Sequence, residues 1–338
     1  MVNVESQKFT FRYAGGTASS SSPAPATIDQ PFHIASIGKV FTAVLIGMLA
    51  DRGRLAFSDS VTRFFSPAEL NRLFVYQGRD YSDKATVEQL LGHTSGIADY
   101  FEGPVHSGPL FLKRVLSNPD EHWTPDKLVD FTREHQQAVG IPGTVFHYSD
   151  TGYLLLGQII ERVTGQSFHD NLHDHIFRPL GMDDSYLLFY SEPHRQPHQP
   201  IQDIWINKVE CSRFRSLSCD WAGGGIVSTA GDLYRFQRAL RKGELLQADT
   251  LRKFDAFDNR FRRGIRYGLG MMEIRFDEML FLLKGWPRLK GHLGIVATHM
   301  LYDPVHDAHV IMNFGSSALM EHSFRVLFQI MNTIKRLG

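Results

Sequence analysis

The sequence predicts an α/β protein of the α+β type, with an antiparallel sheet flanked by helices and a mainly helical second lobe. Three observations carry this. The last third holds four β-rich runs separated by turn residues, a polar–apolar alternation opens the chain, and residues from about 65 to 191 are patterned for helices with long loops. Both ends are therefore expected to build one α/β lobe (1–64 and 205–338) around a helical lobe (65–204), with a ligand cleft between them.

Taken in order, residues 8–13 alternate polar and apolar side chains and lead into Gly15-Gly16, an opening strand with its turn. The Ser/Pro/Ala-rich stretch 19–26 reads as a surface loop. A helix begins at Ser36: Val40, Phe41, Val44, Leu45, Met48 and Leu49 recur at near-helical spacing until Asp51-Arg52-Gly53 supplies a stop. Within the helical middle, 152–164 is the clearest case, with Leu155, Leu156, Ile159, Ile160 and Val163 on one face before Gly165. The Pro- and His-rich stretch 192–200 is a connector. Runs 267–276, 279–283, 293–302 and 309–314 are read as strands of a meander, and 322–337 as a closing helix with Phe324, Leu327, Phe328, Met331 and Ile334 on one face.

Bulk properties narrow the function. With 338 residues, 36 Lys plus Arg and 36 Asp plus Glu, the chain can bury a large core and has no net charge with which to capture nucleic acid or an anionic membrane. The longest uncharged apolar run, 40–50, is well short of the roughly 18–20 residues that span a bilayer, so no transmembrane segment is expected. The N-terminus lacks the apolar core of a secretory signal; as written the chain belongs in the cytoplasm, and in the periplasm or outside if a leader has been trimmed. Cys211 and Cys219 are read as free thiols, without the neighbours of a metal site. No metal or cofactor is implied.

The chemistry starts at Ser36-Ile37-Gly38-Lys39. Residues three apart share a helix face, so a hydroxyl and an amine meet at a helix start. A serine needs a partner to take its proton, and burial together with the positive end of the helix favours the neutral lysine that could do so. An unpaired N–H of the first turn is available for an oxyanion. S-x-x-K alone is also what a helix cap followed by a solvated lysine looks like.

Four further stretches accompany it: Leu90-Leu91-Gly92-His93-Thr94-Ser95-Gly96, Tyr148-Ser149-Asp150-Thr151-Gly152-Tyr153, Gly223-Gly224-Gly225-Ile226-Val227-Ser228-Thr229-Ala230-Gly231-Asp232-Leu233, and Gly291-His292-Leu293-Gly294. In this order they resemble the serine β-lactamase-like superfamily, in the branch of class C β-lactamases, DD-carboxypeptidase-like penicillin-binding proteins and related esterases. The resemblance runs from about residue 32 to the C-terminus and implies a β-lactamase/transpeptidase-like fold. It makes Ser36 the acylated nucleophile, Lys39 its activator and Tyr148 the proton shuttle. His292-Leu293-Gly294 matches the strand motif that reads K-T-G in class C enzymes, and the Ile295 N–H after Gly294 resembles the second oxyanion donor beside that of Ser36. His93 resembles a turn at the lobe junction and Gly223-Gly224-Gly225 a wall of the cleft.

Two positions depart from the pattern. Asp150 replaces the family's asparagine and, when ionised, offers only acceptors to a substrate. His292 replaces a lysine, so it can greet a substrate carboxylate as a cation only when protonated, and Lys290 could share its strand face unless Gly291 breaks the alternation. The resemblance implies a serine hydrolase acting through an acyl-enzyme on a small-molecule or peptide substrate. A DD-carboxypeptidase-like or D-amino-acid peptide or amide hydrolase ranks first, an esterase or transesterase second and a β-lactamase third. A non-catalytic binding or scaffold protein has no use for Ser, Lys and Tyr together and ranks last.

Overall fold

A computed structural model describes residues 1–337. Its frame is an eight-stranded antiparallel sheet made from both ends of the chain: β1 (Val2–Glu5), β2 (Thr10–Tyr13), β3 (Asn259–Arg262), β4 (Ile265–Tyr267), β5 (Met272–Ile274), β6 (Leu289–Gly294), β7 (Thr298–Asp303) and β8 (Ala308–Asn313). Their order is β3-β4-β5-β6-β7-β8-β1-β2, so β1 lies between β8 and β2 with Val2 opposite Met312 and Tyr13. The N-terminal ammonium donates to Asn313 O at 2.7 Å, extending that pairing.

Four helices matter most for the site: α1 (Gly38–Asp51), α2 (Asp150–Thr164), α3 (Ala230–Arg241) and α4 (Met320–Leu337). Helix α1 is buried on every side from Gly38 to Leu49, which is why its sequence is apolar almost throughout rather than striped. Its Phe41 stacks on Phe236 of α3, centroids 3.8 Å apart, and the helix stops where Gly53 adopts φ +68°. Helix α2 starts on the side chain of Ser149, which accepts the Gly152 N–H at 3.2 Å, and ends at Gly165 in the left-handed conformation. Around it stand shorter helices such as Val87–Leu91, Phe111–Ser117 and Pro125–His135. Helix α4 lays Leu327, Met331 and Ile334 against the sheet, in one apolar cluster with Val4, Ile274 and Val310.

Some local expectations are corrected. Residues 279–283 form no strand: a helical turn, Phe276–Met279, runs into a 3-10 turn, Phe281–Leu283, and the run Leu280-Phe281-Leu282 is exposed. Apolar content there does not mean burial, because no neighbouring strand is present to pair with it. The stretch 19–26 is part of a small hairpin, Thr17–Ser19 with Ser22–Pro25, and β1 was not anticipated at all. Runs 267–276 and 293–302 each contain a reversal; in the second, Ala297 turns the chain with φ +57° although no glycine marks the place. Cys211 and Cys219 are both buried and unpaired with each other. No helix among the described residues is long and apolar enough to cross a membrane.

Candidate active site

Ser36 is presented by a short strand, Phe32–His33, that pairs with Ile226–Ser228 and breaks into the 3-10 turn Ala35–Ile37 before α1. Ala35 takes φ +49°, unusual for a residue with a Cβ, and its N–H is held by His33 Nδ1 at 3.2 Å. Two glycines make room for the turn. A Cβ on Gly224 would lie 2.9 Å from Ala35 C and O, and one on Gly294, at the end of β6, would lie 2.1 Å from Thr298 Oγ1 and 2.8 Å from Ile34 O. Ser36 is thus clamped between the glycine wall and the sheet end, where Ile295 begins the next turn.

Lys39 is fully buried at the second position of α1. Its Nζ donates to Ser36 Oγ at 3.3 Å, to Gly223 O at 2.8 Å and to Asp150 Oδ1 in an ion pair. Burial alone would push the amine toward neutrality, but the Asp150 carboxylate, with Tyr148 behind it, raises its pKa above the ordinary lysine range. The expectation of a neutral lysine is therefore corrected. At contact distance away from water, the attraction of the carboxylate outweighs desolvation and the weaker helix-end effect. The substitution of Asp150 for an amide is what holds that charge.

Asp150 sits at the first position of α2 and gathers other acids. Its N–H donates to Asp99 Oδ1 at 2.9 Å. Burial, then the Asp150 charge, push Asp99 up to about 7; the same two causes, opposed by Lys39, push Asp220 up to about 7. Glu102 is raised in the same way. His33 Nε2 lies 3.5 Å from Asp220 Oδ2; because its Nδ1 accepts from Ala35, Nε2 carries the proton, and burial lowers this imidazole to about 4.

Tyr148 is half-buried against His93, ring centroids 4.2 Å apart, with its hydroxyl enclosed and Lys39 Nζ 5.0 Å from its own centroid. Burial keeps it a phenol although Lys39 and Ser36 favour the phenolate, and its hydroxyl forms no well-aligned hydrogen bond. His93 holds this segment in place: its Nδ1 accepts the Ser149 N–H at 3.0 Å and its carbonyl accepts the His147 N–H at 2.8 Å, from a turn with φ +57°. That matches the structural part expected of it.

His292 does not fit the part of a carboxylate-binding cation. It is fully enclosed; its Nδ1–H donates to Leu293 O at 2.7 Å and its Nε2 accepts from the Tyr267 hydroxyl at 3.2 Å. Burial, then Lys39, lower it to about 3. Nor does Lys290 stand in, since its Nζ donates to Asp255 at 2.7 Å.

A cavity of about 880 Å³ opens over Ser36, Tyr148, Asp150, Gly294 and Ile295, while Lys39 and His292 lie behind its surface. One side is acidic, with Asp99, Glu102 and Asp220; the other is apolar, with Phe261, Leu293, Met320 and Phe324. Its lining cations of the Lys/Arg type are the exposed Lys208 and Arg262. The acidic side went unread in the sequence. Asp99 follows Gly96 by three positions and Asp220 precedes the glycine wall by three, so closeness to the quoted motifs was the available signal.

The family model described as Beta-lactamase matches residues 1–322. Penicillin-binding protein 4 of Amycolatopsis lactamdurans is 33% identical over 239 residues, 67% of this chain and 54% of that protein. Penicillin-binding protein 4* of Bacillus subtilis is 28% identical over 299 residues, 82% of this chain and 60% of the relative. The chain thus spans little more than half the length of these curated relatives. Among solved structures, the D-amino acid amidase of Ochrobactrum anthropi superposes with a TM-score of 0.77 at 27% identity, covering 98% of this chain and 93% of the other. A penicillin-binding protein of Bacillus halodurans shares the fold at a TM-score of 0.76 and 20% identity, over 97% of this chain and 94% of its own. From its sheet, its serine-bearing helix and these matches, the chain belongs to the beta-lactamase family.

Proposed function

We propose that the protein is a serine hydrolase that forms a covalent acyl-enzyme on amides or peptides of D-amino acids whose α-amino group is free. The observation that carries the chemistry is Ser36 Oγ, in the cavity lining, at 3.3 Å from a lysine buried behind it. Ser36 Oγ attacks the carbonyl carbon, and its proton passes to Lys39 as Lys39 gives one to Asp150, which leaves Asp150 protonated and Lys39 still cationic beside the oxyanion. The Ser36 and Ile295 N–H groups receive the oxyanion. Tyr148 gives its phenolic proton to the leaving amine and regains one from Lys39, which recovers its own from Asp150. Water then repeats the steps in reverse order to release the acid.

The choice of substrate rests on the walls. Asp99, Glu102 and Asp220 suit an ammonium, whereas a carboxylate would meet only the exposed Lys208 and Arg262, so an amidase is favoured over a carboxypeptidase. The apolar side suits an apolar side chain. The likeness to the D-amino acid amidase supports this choice. A second reading, acyl transfer to or from esters, is favoured by that same apolar wall and by 26% identity over 67% of this chain, 57% of the relative, with the monacolin J acid methylbutanoyltransferase of Aspergillus terreus.

The test is a turnover panel on wild type and Ser36→Ala: D-phenylalanine amide, its N-acetyl derivative, an N-blocked D-Ala-D-Ala peptide, p-nitrophenyl butyrate and a chromogenic cephalosporin. Ser36-dependent release of ammonia is expected from the free amide, with N-acetylation costing about ten- to a hundredfold in kcat/KM, the worth of a charged hydrogen bond. Faster turnover of the blocked peptide would overturn the amine-binding assignment. A preference for the ester would establish the second reading.

A further inference from the structure

The loop between β5 and β6 carries the most exposed large apolar side chains among the described residues: Phe281 is 76% exposed and Leu282 82%, beside Leu280 at 50%. The projection is ordered by its own backbone, with the Leu283 N–H donating to Leu280 O at 2.9 Å, Lys284 to Phe281 O at 3.1 Å and Trp286 to Leu283 O at 3.1 Å. Beneath it Trp286 packs on Phe276 and stacks on the half-exposed Phe328 of α4, centroids 4.7 Å apart at 13°. Lys335 Nζ lies 5.7 Å from the indole centroid.

Lys284 and Arg288 belong to this loop, and Lys335 brings the end of α4 to its Trp286. Lys284, Arg288, Lys335 and Arg336 are exposed and form no ion pair among the described residues. Of the loop's acids, Glu278 is engaged by Arg266 and Arg275, which leaves Asp277 as the one carboxylate to oppose them. The even charge of the whole chain hides this local excess. A projecting tip of three side chains is too small for a stable protein interface, which needs about 1,000 Å², but it suits a fluid layer that accepts isolated apolar groups together with positive charge. An indole at the boundary and long basic side chains beside it belong to the same pattern.

We propose that Leu280, Phe281 and Leu282, together with Lys284 and Arg288 of the same loop and Lys335 and Arg336 at the end of α4, dock the protein on an anionic lipid surface. Docking there brings the cavity rim close to the surface. Arg263 Nε donates to Glu278 O at 2.9 Å, tying the loop to the hairpin that carries Phe261 and Arg262 on the rim. Helix α4 likewise turns Phe324 to the cavity and Phe328, one turn on, to the Trp286 stack.

The experiment is co-sedimentation of the full chain with phosphatidylcholine vesicles, with and without phosphatidylglycerol, at low and high salt. Wild type is expected to bind the anionic vesicles at least about tenfold more strongly than the neutral ones, and to lose that advantage in high salt. Phe281→Ser with Leu282→Ser should weaken binding by about tenfold or more, and Lys284→Ala with Arg288→Ala should remove most of the dependence on phosphatidylglycerol. Both variants alter exposed side chains, so an unchanged melting temperature is the control for folding. Three results would overturn the proposal: no binding by wild type, binding indifferent to the Phe281/Leu282 exchange, or a dimer in solution that the same exchange converts to monomer.

Discussion

The two walls that meet at Ser36 solve the problem of buried polar groups in opposite ways. On the helical side, Lys39 and Asp150 form an ion pair, and burial, then the Asp150 charge, bring the carboxyls of Asp99 and Asp220 up to about 7. On the sheet side, His292 is stripped of charge and satisfied by Tyr267 and the Leu293 carbonyl. A charge persists in the interior only where a counter-charge touches it, so the buried ion pair and the acidic side chains collect on the helical wall while the strand supplies shape.

That contrast can be broken most severely at Lys39. Lys39→Met should lower kcat roughly a thousandfold or more, and by leaving Asp150 unpaired should cost about 3–5 kcal/mol of stability, read as a shift of the urea midpoint. Adding Asp150→Leu should recover much of the stability and none of the turnover; a double variant no more stable than Lys39→Met would refute the pairing. Next comes shape: Gly294→Ala forces a methyl against Thr298 Oγ1 and Ile34 O, and a loss of about 1–3 kcal/mol with a fall in kcat is expected from melting and kinetic measurements.

A smaller effect, read by pH, separates the walls. A carboxyl whose pKa is raised on folding stabilises the protein below its unfolded value and loses that contribution as pH rises through the folded value. Asp220→Asn should therefore gain stability relative to wild type as pH climbs from about 4 to about 7, and calorimetry showing a constant difference would contradict the raised carboxyl. The smallest effect is expected at Lys290→Ala, whose partly exposed pair with Asp255 is worth less than about 1 kcal/mol and whose loss should leave kcat/KM unchanged. A marked rise in KM for a substrate bearing a carboxylate would give Lys290 the part denied to it here.

The same contrast explains what could be read in advance. Ser36 and Lys39 were legible because their meeting is local, three residues apart on one helix, and α1, α2 and α4 because apolar spacing reports a packed face directly. The ionisation of Lys39 was not, because its partner lies 111 positions away and a motif does not show how closely two segments approach. Asp99, Asp220 and Glu102 escaped for that reason. Residues 279–283 misled because apolar content registers identically whether a side chain is covered or bare.

The position of β1 bears on how the protein is made. The hydrogen bond between Met1 and Asn313 joins residues 312 positions apart, and β6, which closes over Ser36, also lies far along the sequence from it. Helix α1 leaves the ribosome early, but the sheet end facing Ser36 exists only after most of the chain has been synthesised. The nascent chain thus carries Ser36 long before the strand end that faces it, and the geometry around that serine is complete only once β6 has paired.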